Sequence, residues 1–253
     1  MSVIADNTIV FTRNLYLKSS IPYTLEQALT VKKDLKESIF WGYELYFSGY
    51  EHEVLMFVSK ILVPFYFKKE CPQLVRYAEK KYKEWKITEP VDSILASIIK
   101  NVIYVFNNPN AKRFLSLKDE EYRKIIESIE NSHQIQPQHC RENPRKYLSS
   151  KCLYMITYKH SAAGDSELQY ISDQRYDELL SAFRENWLYY AWRCPLWETR
   201  IRKYGGYVCE DTKNVVFNTE EEEESFYEVF GYEPDEQKYT IYEKCLGIKY
   251  FRE

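Results

Sequence analysis

Through residues 24–130 apolar side chains recur every three or four positions, most densely in "DLKESIFWGYELYFSG", residues 34–49. On a helix, Leu35, Ile39, Gly42 and Tyr46 make one stripe and Phe40, Tyr43 and Phe47 the next, while Trp41 and Leu45 widen the apolar surface. Polar residues keep only a narrow strip of Lys36, Glu37, Glu44 and Ser48. A helix apolar on most sides must be covered on most sides, so the pattern predicts a central helix. Gly42 costs about 1 kcal/mol in helix propensity, but without a side chain it lets a neighbouring helix come close. Any aromatic surface that the other helices leave uncovered becomes an interaction site, with Trp41, Tyr43 and Tyr50 as candidates.

Boundary signals divide the rest of this region. Residues 1–23 read as an irregular or extended lead-in closed by Pro22. Thr24 with Gln27, and Asp34 with Glu37, have the spacing of capping boxes, and Gly49 stands where a left-handed residue ends a helix. The next helix runs from about Glu51 to Val63, where Pro64 ends or kinks it. Pro72 and Pro90 suit first turns of two more helices, the second carrying a buried stripe of Ile94, Ile98, Val102 and Val105. A further helix starts at Ser116.

The period fails in "HQIQPQHCRENP", residues 133–144. The expected organisation is therefore a helical bundle domain over 1–132 with its lead-in, a linker or surface loop over 133–150, and an α+β domain over 151–253. In that last part "KCLYMITYKH" suits a strand, and a helix is expected from Ser172. Pro195 opens a short helix that Gly205-Gly206 stops, and "YVCEDTKNVVF" reads as a β-hairpin. The acidic run Glu220 to Glu224 follows Thr219, a good N-cap, so it reads as the positive end of a helix rather than an acidic tail. Pro234 opens the final helix in the same way. The fold class expected is mainly α, a multi-helix bundle with a small β-hairpin or short sheet in the C-terminal third.

Composition refines this. Only 7 glycines stand against 24 Tyr and 13 Phe, which favours helices over a turn-rich β architecture. Residues 1–150 carry 22 Lys and Arg against 18 Asp and Glu, and residues 151–253 carry 13 against 20. Neither half has the strongly basic balance of a dedicated DNA-binding domain. The six cysteines are widely spaced and follow no secretory signal, which suggests free thiols in a reducing compartment. No apolar run is long enough for a membrane span, so a soluble intracellular protein is expected.

Candidate chemistry is sparse. Phosphate-binding glycine loops, nucleophile elbows, H-E-x-x-H and C-x-x-C are all missing, and with four histidines imidazole catalysis has few candidates. His133, His139, Cys140, Cys152 and His160 are zinc-binding types at poor spacing, since adjacent His139 and Cys140 seldom reach one tetrahedral ion. No catalytic residue and no cofactor is implied, and this His133–Cys152 region is the place for an unfamiliar enzyme or metal site if there is one. Nucleic-acid binding has two candidate patches. Arg76, Lys80 and Lys83 fall at i, i+4 and i+7 on one helix face, with Tyr77, Tyr82 and Trp85 among them. The second set is Arg193, Arg200, Arg202 and Lys203, with Trp192, Trp197 and Tyr204 nearby. A plain solvated helix face is the alternative, because Glu70, Glu79 and Glu84 interrupt the first set.

Two resemblances bear on function. In "SIFWGYELYFSGYEHEV", "CPLWETRIRKYGG" and "FYEVFGYEPDEQ" the chain resembles a protein family of large nucleocytoplasmic DNA viruses. That likeness spans most of the chain and implies an infected-cell or virion setting, with the host cytoplasm as location, but no activity. Residues 30–110 are similar to the helical collar of replication clamp loaders and of MgsA-like replication ATPases, through Ser38 to Trp41, Gly49, Glu53 to Ile61 and "VFNNPNAK". The collar resemblance implies oligomerisation. The ATPase module that precedes such a collar is missing, so no ATP hydrolysis carries over. The leading expectation is a non-enzymatic interaction or oligomerising protein, an accessory of viral DNA replication or expression. Nucleic-acid binding through cationic aromatic helices is the alternative.

Overall fold

A computed structural model of the chain describes residues 10, 12–13, 18, 21–87, 93–111, 113–115, 124 and 188–230. Helix makes up 74% of these residues, which makes the protein mainly α, and a two-stranded antiparallel sheet lies in the C-terminal region. Two compact units partition the chain: Pro22–Gln134, and Met1–Ile21 together with Ile135–Glu253. The putting together of residues 1–21 with the C-terminal part has a visible bond in it, since Trp197 Nε1 donates to the Arg13 carbonyl at 3.2 Å. The domain limits read from the sequence run largely through residues outside those described. The same holds for the strand at 151–160, most of the helix from Ser172, the helices from Ser116 and Pro234, and the whole His133–His160 group.

The unit Pro22–Gln134 is built from six helices among the described residues. These are α1 (Ile21–Gln27), α2 (Leu35–Leu45), α3 (Glu51–Met56), α4 (Val63–Phe67), α5 (Pro72–Ile87) and α6 (Ser93–Asn107). Wider turns of π type, Ala28–Lys32, Tyr46–Tyr50 and Phe57–Leu62, extend α1, α2 and α3. The Asp34 side chain accepts from the Glu37 amide at 3.0 Å and so starts α2 as its spacing predicted. Gly49, at φ 92°, breaks the helical path after α2. A residue with a β-carbon would be strained there.

Two prolines act differently from the expectation. Pro22 lies in the first turn of α1, where its missing N–H costs nothing, so it opens that helix instead of closing a lead-in. Thr24 is consequently inside the helix and buried, not a cap. Of the two outcomes expected at Pro64, an end or a kink, the end does not occur. The wide turn Phe57–Leu62 runs into α4, with Pro64 in the first turn of α4 and the chain helical to Phe67. The π-type widening loosens the i→i−4 ladder that a proline ring would otherwise strike.

Helix α2 is the centre of this unit: from Ser38 through Leu45 every residue is buried. A β-carbon on Gly42 would sit 2.9 Å from Ile99 Cδ1 and 3.4 Å from Leu95 Cδ2, so α6 crosses α2 at the glycine. The Tyr43 hydroxyl accepts from the Ala96 amide of α6 at 3.2 Å, a second tie between the two helices. The predicted stripe Ile94, Ile98, Val102 and Val105 is buried on α6. Buried Asn101 holds the chain beyond the helix, its amide nitrogen donating to the carbonyls of Ser97 and Leu115 while its oxygen accepts from the Leu115 amide.

In the other unit, residues 188–191 are helical. Then follow α7 (Pro195–Lys203), β1 (Tyr207–Cys209), β2 (Asn214–Val216) and α8 (Glu220–Phe230). The Gly205 amide donates to Arg202 and the Gly206 amide to Ile201, which closes α7 in the reciprocal manner of a Schellman motif. Gly205 has φ 74°, and a β-carbon on Gly206 would lie 2.6 Å from Ile201 Cγ2. Both glycines are therefore demanded by geometry. In the hairpin Val208 pairs with Val215, and Thr219 Oγ1 accepts from the Glu222 amide at 3.2 Å to start α8.

Candidate functional site

The aromatic candidates are core. Trp41, Tyr43 and Tyr50 are 2%, 1% and 7% exposed, so none presents a surface to a partner, and their expected role as interaction residues is corrected. The cause is the covering that the sequence could only demand. Phe40 packs edge-on against Trp41, Tyr43 contacts Tyr46 and Phe47, and α6 closes over Gly42.

The cations of α5 lie where their spacing put them. Arg76, Lys80 and Lys83 are all exposed, with Leu74, Ala78 and Tyr82 buried on the opposite face. Glu84 takes the Lys81 ammonium at 2.7 Å and Lys80 at 3.9 Å, and the bond from Lys81 holds the Glu84 carboxyl below the usual carboxylate range. The rings do not join the cations outside. Buried Tyr82 shares a hydrogen bond with His52 Nε2 at 2.9 Å, and half-buried Trp85 donates to the Tyr46 hydroxyl at 3.3 Å. These bonds tie α5 to the start of α3 and to the turn after α2. The face thus offers positive charge for phosphates and little ring area for bases.

The second set forms a ladder of cations on rings. Arg193 lies 5.3 Å from the Tyr189 ring centroid, Arg200 4.7 Å from Trp197, Arg202 4.8 Å from Trp192 and Lys203 5.7 Å from Tyr204. Each candidate cation thereby covers a ring of its own unit, a contact worth roughly 0.5–1 kcal/mol at exposed sites. Trp197 is fully buried. Burial lowers the Arg200 pKa, and Arg202 donates to Glu198 at 3.0 Å. Lys203 is exposed. The structure keeps these residues together, with Arg200 over buried Trp197 and with Arg202 and Lys203 exposed.

One surface escaped the sequence reading. Along the rod from α3 to α4, Met56 is 39%, Ile61 54% and Phe65 78% exposed. Their neighbours are anchored: Tyr66 donates to Glu26 on α1 at 2.6 Å, a bond that with burial raises the Tyr66 pKa, and Phe67 packs on Phe106 of α6 at 4.6 Å. Phe65 is left outward by that arrangement. The signal in the sequence is the i, i+4 spacing of Ile61 and Phe65, which spans Pro64, where the helix was expected to end or kink.

Among the described residues no group of three or more His, Cys, Asp and Glu could hold a metal ion, Cys71 and Cys209 form no disulfide, and no helix is long and apolar enough to cross a membrane. No family model, no curated protein and no solved structure matches the chain.

Proposed function

We propose that the chain is a non-enzymatic interaction protein that docks a protein partner, or a second copy of itself, through the Met56–Ile61–Phe65 ridge. The observation that carries this is Phe65, 78% exposed on a rod whose adjacent Tyr66 and Phe67 are packed. Burying a phenylalanine contributes about 1.5–3 kcal/mol, a gain this fold leaves untaken. The role of accessory in viral DNA replication or expression belongs to this reading and rests on the sequence resemblances alone, as do oligomerisation and the host cytoplasm or virion as location.

A photo-crosslinking amino acid at position 65 of the full chain, in the cells that produce it, tests the proposal. A discrete covalent adduct is expected there, and none from the same group at Val229, an exposed apolar position of the other unit. Equal labelling at the two positions, or none at 65, sinks the reading.

The exposed face of Arg76, Lys80 and Lys83 favours a second reading, nucleic-acid binding by phosphate contacts. Here retention on a nucleic-acid column falls with salt, and Lys80→Glu with Lys83→Glu weakens it for every sequence alike. Unchanged retention removes this face as a contact.

A further inference from the structure

We infer that α5 and the segment at Arg113 form one phosphate-binding face, which takes the backbone of duplex nucleic acid rather than a single strand. The inference rests on the nucleic-acid reading above and names its substrate class. Arg76, Lys80 and Lys83 share the side of α5 opposite buried Leu74, Ala78 and Tyr82, with exposed Gln73 before them and exposed Ile87 after them. No acidic residue lies on that line. From Pro72 to Ile87 five cations stand against two acids, and both acids are answered at the edges of the face. Glu79 takes Lys60 of the wide turn Phe57–Leu62 at 3.0 Å, and Glu84 takes Lys81 at 2.7 Å and Lys80 at 3.9 Å. Lys86 covers the Tyr82 ring at 4.8 Å. In the turn before α5, Glu70 is outnumbered by Lys68 and Lys69. Arg76 and Lys83 are left with no ion pair among the described residues.

A residue remote in sequence joins them. Phe114 packs on Tyr77 of α5 with ring centroids 4.9 Å apart, and buried Asn101 holds the Leu115 backbone through bonds of 2.8 and 2.7 Å. These two anchors fix the segment that carries Arg113 against the flank of α5. Arg113 is exposed and has no ion pair among the described residues. The guanidinium groups of Arg76 and Arg113 suit phosphate oxygens, which they meet with paired N–H bonds. Arg76 and Lys83 are seven positions apart, about 10 Å along the helix, a length that about three phosphates of one duplex strand also cover. The rings decide between duplex and single strand. Stacking on unpaired bases needs exposed aromatic faces. Here Tyr77 lies against Phe114, Tyr82 is buried, and Trp85 is half-buried and bonded to Tyr46. The face therefore meets a line of phosphates and leaves base sequence unread.

Fluorescence anisotropy of the full chain with a labelled duplex of mixed sequence, and with one of its strands alone, over a series of salt concentrations tests this. The duplex should bind more tightly, with log K falling against log salt at a slope of about −3, as three or four neutralised phosphates give. Arg76→Glu with Arg113→Glu should weaken duplex binding about tenfold and flatten the slope by about 2. Lys36→Glu, an exposed cation of α2, should do neither, and the helical circular dichroism should be the same in all. Equal or tighter binding of the single strand, or a loss that follows Lys80 and Lys83 but not Arg113, overturns the inference and leaves the nucleic-acid reading standing. A loss as large from Lys36→Glu traces binding to overall charge and also overturns the face. If neither strand nor duplex binds at low salt, the inference and the reading fall together. Binding to anionic phospholipid vesicles that needs Arg76 and Arg113, with none to the duplex, makes this a membrane-surface contact and sinks both as well.

Discussion

Helices α2 and α5 belong to the same unit, both carry candidate functional residues, and the fold treats them oppositely. In α2 the eight residues from Ser38 to Leu45 are all buried, whereas in α5 only Leu74, Ala78 and Tyr82 are. The aromatic rings of α2 hold the unit together. The cations of α5 face solvent, on a helix whose rings also turn inward. The difference teaches that ring-rich sequence is weak evidence of a binding surface in this protein. Surface is decided by which helix is enclosed, and the most exposed ring among the described residues is Phe65, on a helix with far fewer candidate signals.

The comparison can be broken most sharply at Trp41. Trp41→Ala should cost ~3–5 kcal/mol of unfolding free energy, as large truncations in cores do, read by urea denaturation. A cost under about 1 kcal/mol would mean that α2 is not enclosed. Gly42→Leu comes next, with an expected loss of ~1–3 kcal/mol, because its side chain must displace Ile99 and Leu95. A stabilising result would show that α6 does not cross α2 closely. Tyr43→Phe sharpens the point by removing only the hydroxyl that accepts from Ala96. An expected loss of ~1 kcal/mol separates a hydrogen-bonded tyrosine from a merely space-filling one.

The smallest effect is expected on α5. The Glu84 carboxyl is below its usual range, so its pair with Lys81 stabilises the fold above the ordinary carboxylate pKa and is lost as pH falls through the lower folded value. The group is more than a third exposed, and screening reduces the effect to a few tenths of a kcal/mol at most. Glu84→Gln should lower the melting temperature slightly at neutral pH and not at all in acid. A deficit that grows in acid would reverse the sign and refute the pairing.

Local signals were readable wherever one residue type has one physical use. Asp34 and Thr219 cap their helices, Gly49 and Gly205 take positive φ, Pro72 and Pro195 open helices, and the hairpin forms where β-branched runs flank a polar turn. Proline was less transparent because its use depends on neighbours. Pro22 sits at a helix start and Pro64 follows a widened turn, and neither context is written in the proline itself. The cationic sets were legible as sets. Whether their rings faced out was not, since Trp85 and Trp197 turn inward to bonds with Tyr46 and Arg13, residues distant in the chain.

By itself, then, the amino-acid order determined the helical class, many of the helix limits and the presence of two cationic patches, because capping, φ preference and amphipathic spacing act within a few residues. Only tertiary packing decided which apolar faces were covered. Burial is a property of several helices at once: Gly42 admits α6 over α2, Glu26 and Phe106 fix Tyr66 and Phe67, and Phe65 is among the side chains left uncovered.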